Sequence, residues 1–204
     1  MKSPTTNSPC QTSGTPRSLK VELLVLALIF AVGFSSLFLL GDLPNFKPVA
    51  ALALFGGFYF QRSTLAVLGL VAILMVSDFF LGSYSLSIAL TVYFSLGLGV
   101  WLGGRFKGSE SRSLPARYGG IAAASLVMAI VFFVLTNFAV WGVWYPATWE
   151  GLVACYVSAI PFFKYTLAGN LFFSVAAFAT YDLLGAMLAK RNAVLSRYAV
   201  AQTN

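Results

Sequence analysis

The sequence predicts an all-α integral membrane protein, a six-transmembrane-helix bundle with cytoplasmic N- and C-termini. Three observations carry this reading. Only 9% of the residues are charged and 59% are hydrophobic, whereas a soluble domain averages about 25% charged residues. The mean hydropathy is +0.84. Several apolar runs approach the roughly 20 residues that a helix needs to cross a bilayer, and the period-two alternation of a barrel is absent.

The elements follow in order. Residues 1–19, rich in Ser, Thr and Pro, read as a disordered cytoplasmic tail. Val21–Leu40 is the first helix. It is too long for a signal-peptide core and has no clear small-residue cleavage site before Gly41. It carries Ala27 and Ala31, then Gly33, a small-residue stripe where another helix can approach closely, inside the bundle or from a partner. The connection Gly41–Pro48 contains Asn45 and Lys47, and its prolines disfavour continuous helix. Pro48–Phe60 follows as a short second helix with Gly56 and Gly57. Thr64–Phe80 is the third helix, with Asp78 near its end. Leu86–Leu102 is the fourth, and Gly97, Gly99, Gly103 and Gly104 permit close packing.

The hydrophilic loop Arg105–Arg117 holds four basic residues and one acidic residue. Gly120–Val143 is the fifth helix. The segment Trp144–Thr166 reads as irregular or as an interfacial helix between helices 5 and 6. Within it Thr148 caps a short helix, and Thr148–Phe163 forms a lid over a cavity. Leu167–Ala189 is the sixth helix. The membrane domain thus covers 20–190, and 191–204 form a basic cytoplasmic tail.

Charge tests this topology. With six crossings and a cytoplasmic N-terminus, 11 of the 13 Lys and Arg fall on the inside. Only Lys47 and Lys164 fall outside, a strong positive-inside bias. The formal charge of +7 therefore fits basic cytoplasmic loops rather than nucleic acid.

The outer segments hold the candidate site. Thr136, Asn137 and Trp141 lie late in the fifth helix, with Asn137 and Trp141 on one face, and Asn170 lies early in the sixth. Polar groups inside a membrane tend to face a cavity or another helix. The two amides can bind a polar ligand while Trp141, Trp144 and Trp149 stack on its flat part. Equally, the two Asn can bond each other or a backbone carbonyl, and the Trp can form an interfacial belt. Asn45 belongs to the same outer set. Lys47 and Lys164 are candidates for an anionic ligand group, and Asp78 or Glu150 for a cationic one, against the plainer reading of solvated loop charges. Asp182 is read as a structural bond near the inner interface, two turns from Lys190, rather than a proton relay.

No enzyme is expected. The chain has no His, no paired carboxylates on one helix, no Gly-x-Ser-x-Gly and no phosphate loop. With two Cys, Cys10 and Cys155, neither a His/Cys metal site nor a structural disulfide is expected. No cofactor is expected either.

Three strings occur in order: LPNFKPVAALALFGGFYF, then VSDFFLGSY, then FFVLTNFAVWGVWYPATWEGLVACYVSAIPFFKYTLAGNLFF. Over about Leu43–Leu184 they resemble an uncharacterised bacterial family of membrane transport proteins, which is itself similar to the substrate-binding S-components of energy-coupling factor (ECF) vitamin transporters. The resemblance implies capture of a small, vitamin-like micronutrient at the outer face of the bacterial cytoplasmic (inner) membrane. It implies a multi-pass chain whose Ala27 and Ala31 dock an ECF coupling subunit, with ATPases as further partners. An aromatic, weakly charged site favours a flat heterocycle or an apolar-faced cofactor precursor over a sugar or phosphate. Two readings compete: a membrane scaffold or assembly protein whose Trp-rich outer segment binds a partner, and a membrane enzyme dependent on Asp78 or Asp182.

Overall fold

A computed structural model describes residues 19–39, 45–82 and 85–202. The described residues form six α-helices: α1 (Leu19–Leu39), α2 (Val49–Tyr59), α3 (Ser63–Leu81), α4 (Leu86–Gly104), α5 (Leu114–Trp144) and α6 (Trp149–Gln202), with one 3-10 turn at Ser109–Ser111. The expected tail at 1–18, and residues 41–44 and 83–84 of the expected connections, lie outside the described residues.

The shortest helix is the centre of the fold. Every residue from Ala53 to Phe60 is buried, the pattern of a helix that is apolar all round and covered on all sides. Two glycines bring α2 against α4. A Cβ on Gly57 would lie 1.9 Å from the Val100 carbonyl oxygen, and a Cβ on Gly103 would lie 1.9 Å from that of Leu54. The backbones touch here, and any side chain would hold them apart. Of the glycines expected to permit close packing in α4, Gly99 and Gly103 do so, while Gly97 faces open space.

α2 has 11 residues, about 16 Å of helix, and is too short to cross a bilayer alone. Its flanks extend it. The Gln61 N–H donates to Glu22 Oε1 (3.1 Å) at the start of α1, and Lys47 Nζ donates to the Ser36 carbonyl (3.4 Å) near its end. Residues 47–61 therefore run antiparallel to α1 through the same depth. Five other helices, α1 and α3–α6, are long and apolar enough to cross a membrane.

The segment Trp144–Thr166 corrects the sequence reading. Only residues 145–148 leave the helix, and α6 then runs unbroken through 54 residues. Tyr145 is extended (φ −118°, ψ 156°), as expected before Pro146. Thr148 does cap the new helix: its Oγ1 accepts the Gly151 N–H at 3.1 Å. Gly151 is required there, because a Cβ would sit 2.2 Å from the Pro146 carbonyl oxygen. Pro161 lies inside α6 without ending it. The carbonyl it leaves unbonded belongs to Val157, which is on the exposed side. Hence α6 starts at Trp149 rather than Leu167, no separate interfacial segment lies between α5 and α6, and residues 191–202, assigned to a tail, extend the helix.

Candidate functional site

α5 and α6 form a long antiparallel hairpin. At one end Arg117 pairs with Asp182. At the other, the Cys155 thiol donates to the Asn137 carbonyl (3.4 Å) and the Tyr156 hydroxyl to the Val134 carbonyl (2.7 Å). The hairpin meets the rest of the bundle through α2. Gly169 packs on the Phe46 and Lys47 backbone, the Phe173 ring lies 5.2 Å from that of Phe46 at a tilt of 55°, and Phe178 lies 4.8 Å from Phe58 and 5.5 Å from Phe55.

On α6, the face that Phe178 turns to α2 continues toward the tip as Ser174, Asn170 and Thr166, each one turn apart. All three are buried, at 1%, 4% and 8% exposure. The Asn170 side-chain amide nitrogen and the Ser174 hydroxyl have no hydrogen-bond partner. This is unusual, since buried polar atoms are nearly always satisfied and an unmade bond costs about 1–3 kcal/mol. Other hydroxyls of the bundle behave differently: Ser95 and Ser125 each donate to the carbonyl four residues back. Asn170 and Ser174 therefore present free hydrogen-bonding groups inside an apolar bundle, beside the Phe46 and Phe173 rings.

Away from the tip the same face ends at Asp182. Arg117 Nη1 donates to Asp182 Oδ1 at 2.6 Å, and the Tyr118 hydroxyl to Oδ2 at 2.9 Å. The Arg117 guanidinium sits 5.4 Å from the Phe58 ring centroid and 5.8 Å from that of Phe178. Asp182 thus makes the structural bond expected of it, but with Arg117 of the neighbouring helix. Lys190, two turns along α6, lies exposed. Arg117 and Ser174 escaped the sequence reading. The first looks like one more loop cation, and a Ser in an apolar helix ordinarily bonds its own backbone.

The other sequence-predicted residues do not converge on one point. Asn45 is exposed with φ 61°, in the chain leading to Lys47. Those two lie near Asn170, through the contact of Gly169 with residues 46–47. Asp78 accepts from the Tyr93 hydroxyl (3.0 Å), tying α3 to α4. Asn137 donates to the Phe133 carbonyl within its own helix (2.8 Å). It is level with Cys155, about 22 Å along α6 from Asn170. The two Asn therefore do not bond each other. Trp141 Nε1 donates to the Pro146 carbonyl (2.9 Å) and fastens the tight turn. Trp144 and Trp149 are 64% and 71% exposed at the hairpin tip, and the rise from Trp149 to Asn170 is about 30 Å. The 148–163 segment extends along the hairpin axis and does not fold back as a lid. Lys164 is exposed, 5.0 Å from the Tyr165 ring. On α1, Ala27 and Ala31 are exposed while Gly33 packs on Ile73. Of the two readings of the small-residue stripe, Gly33 takes the internal one and the two alanines face outward.

These features define an all-helical chain with several helices of membrane-spanning length and a buried polar seam on one of them. A family model described as a family of unknown function (DUF6580) matches residues 17–194, and the chain belongs to that family. No curated protein matches the chain, and no solved structure does.

Proposed function

We propose that the protein is a membrane transport component that binds a small, vitamin-like molecule on the α6 seam, in the manner of ECF S-components. One observation carries the proposal: the buried, unpartnered Asn170 amide nitrogen and Ser174 hydroxyl. A membrane bundle keeps polar groups in its interior at a cost, and such groups tend to mark substrate pathways. The adjacent Phe46 and Phe173 rings suit the flat face of a heterocycle.

The orientation rests on charge. The start of α1, the 60–62 turn and the 105–113 connection gather at one end of the bundle, where Glu22 and Lys107 both bond Gln61. Among the described residues, all Lys and Arg but Lys47 and Lys164 belong to that end, which the positive-inside rule assigns to the cytoplasm. The chain then makes six crossings in the bacterial cytoplasmic membrane, with the Asn45–Lys47 entrance outside. Ala27 and Ala31 offer a flat outward stripe for a coupling subunit, whose ATPases energise uptake.

Thermal-shift screening of the purified protein against a vitamin panel tests the proposal. One compound should raise the melting temperature in proportion to RT ln(1 + [L]/Kd). Asn170→Leu should abolish that rise, and Trp141→Ala, about 28 Å away along the hairpin, should keep it. A compound whose effect survives Asn170→Leu would place binding elsewhere. The exposed Trp144 and Trp149 at the hairpin tip favour a second reading, a scaffold that engages a partner protein there. It predicts partner loss on Trp144→Ala with no small-molecule stabilisation.

A further inference from the structure

We propose that the groove between α3 and α4 at the basic end of the bundle binds one anionic phospholipid. The groove is open and offers about 420 Å³. Its floor is apolar and shallow-walled: Val67 of α3 faces Gly97, Val100 and Gly104 of α4. Gly97 shapes it, since a Cβ there would meet nothing within 4 Å. The rim is cationic. Arg105 and Lys107 line it beside Ser63, and Arg105 is held 4.5 Å from the exposed Trp101 ring. Lys107 Nζ leans across to the Gln61 carbonyl at 3.5 Å.

Among the described residues no carboxylate answers these cations. Among the described residues, the acids of this end are engaged elsewhere: Glu22 with the Gln61 N–H, Asp182 with Arg117 and Tyr118, and Glu110 with Tyr181. Arg105 and Lys107 therefore face outward with free donors. A basic rim over an apolar slot, flanked by an exposed Trp, matches a phosphate head with its acyl chain lying toward the bilayer centre. Charge and shape together favour lipid: the cations sit at one end of an open apolar slot with room for a single acyl chain. The inference is independent of the transport reading.

Native mass spectrometry of the full-length protein tests it, using phosphatidylglycerol and phosphatidylcholine with identical chains. Phosphatidylglycerol should bind roughly tenfold tighter. The double variant R105Q/K107Q should lose that preference while still taking up phosphatidylcholine. Gly97→Leu fills the floor without a clash and should weaken both lipids, as should Val67→Trp from the opposite wall. Equal affinity of the wild type for the two lipids would overturn the proposal. So would unchanged binding in both floor variants, the result expected of a groove that serves a protein partner. Complete displacement of bound lipid by soluble glycerol phosphate would also overturn it, by reducing the site to a phosphate site.

Discussion

Leucine at Gly103 should lower the melting temperature of the purified protein by roughly 10 °C or prevent its recovery altogether. The Gly103 Cα faces the Leu54 carbonyl so closely that an added Cβ would lie 1.9 Å from that oxygen. A flexible side chain could turn aside, but a helix backbone cannot. The two helices must separate, which opens the core around Leu54, Phe58, Leu96 and Val100, all under 5% exposed. Overpacking commonly costs about 1–3 kcal/mol, and with backbone as the obstacle the cost should reach the top of that range or beyond. Gly97→Leu is the control, six residues earlier on the same helix and facing open space. It should melt like the wild type. Equal melting of the two variants would mean that α2 and α4 are not in backbone contact.

Asp182→Leu should cost about 3–5 kcal/mol, because it strands a buried guanidinium. Arg117 is 3% exposed, lies between Phe58 and Phe178, and already has its Nε and Nη2 unpartnered. Without Asp182 it keeps no anionic partner. Arg117→Met should cost less. The Asp182 side chain is 23% exposed and keeps the Tyr118 hydroxyl, so its charge is relieved by water. The double variant Arg117→Met/Asp182→Leu should recover most of the loss, since replacing both members of a buried pair is often neutral. Melting curves of the four proteins, read as a double-mutant cycle, give the coupling. Costs below about 1 kcal/mol for both single changes would show an ordinary solvated pair.

The sequence made α1 to α4 legible to within a few residues, because apolar runs bounded by Pro48, by Gln61–Ser63 and by the Gly82 turn leave little choice. It was misleading at α6. Trp149, Glu150 and Pro161 look like the makings of an irregular segment, yet only Pro146 is placed to stop a helix. Pro161 gives up a hydrogen bond at an exposed carbonyl and the helix continues. The central place of α2 was not legible either. Gly56 and Gly57 are visible in the sequence, but which helix approaches them is a long-range fact that periodicity does not encode. The same holds for Arg117 and Asp182, partners across 65 positions of sequence. Of the candidate site, Asn170 was readable as an amide in an apolar run. Its separation from Asn137 and the three tryptophans was not, since that depends on the continuity of α6.

The most direct test of the binding seam is mass spectrometry of small molecules released from the purified wild type and from Asn170→Leu. One compound should come in near-stoichiometric amount from the wild type and be absent from the variant. The same compound from both proteins would contradict it, and so would lipids alone from each.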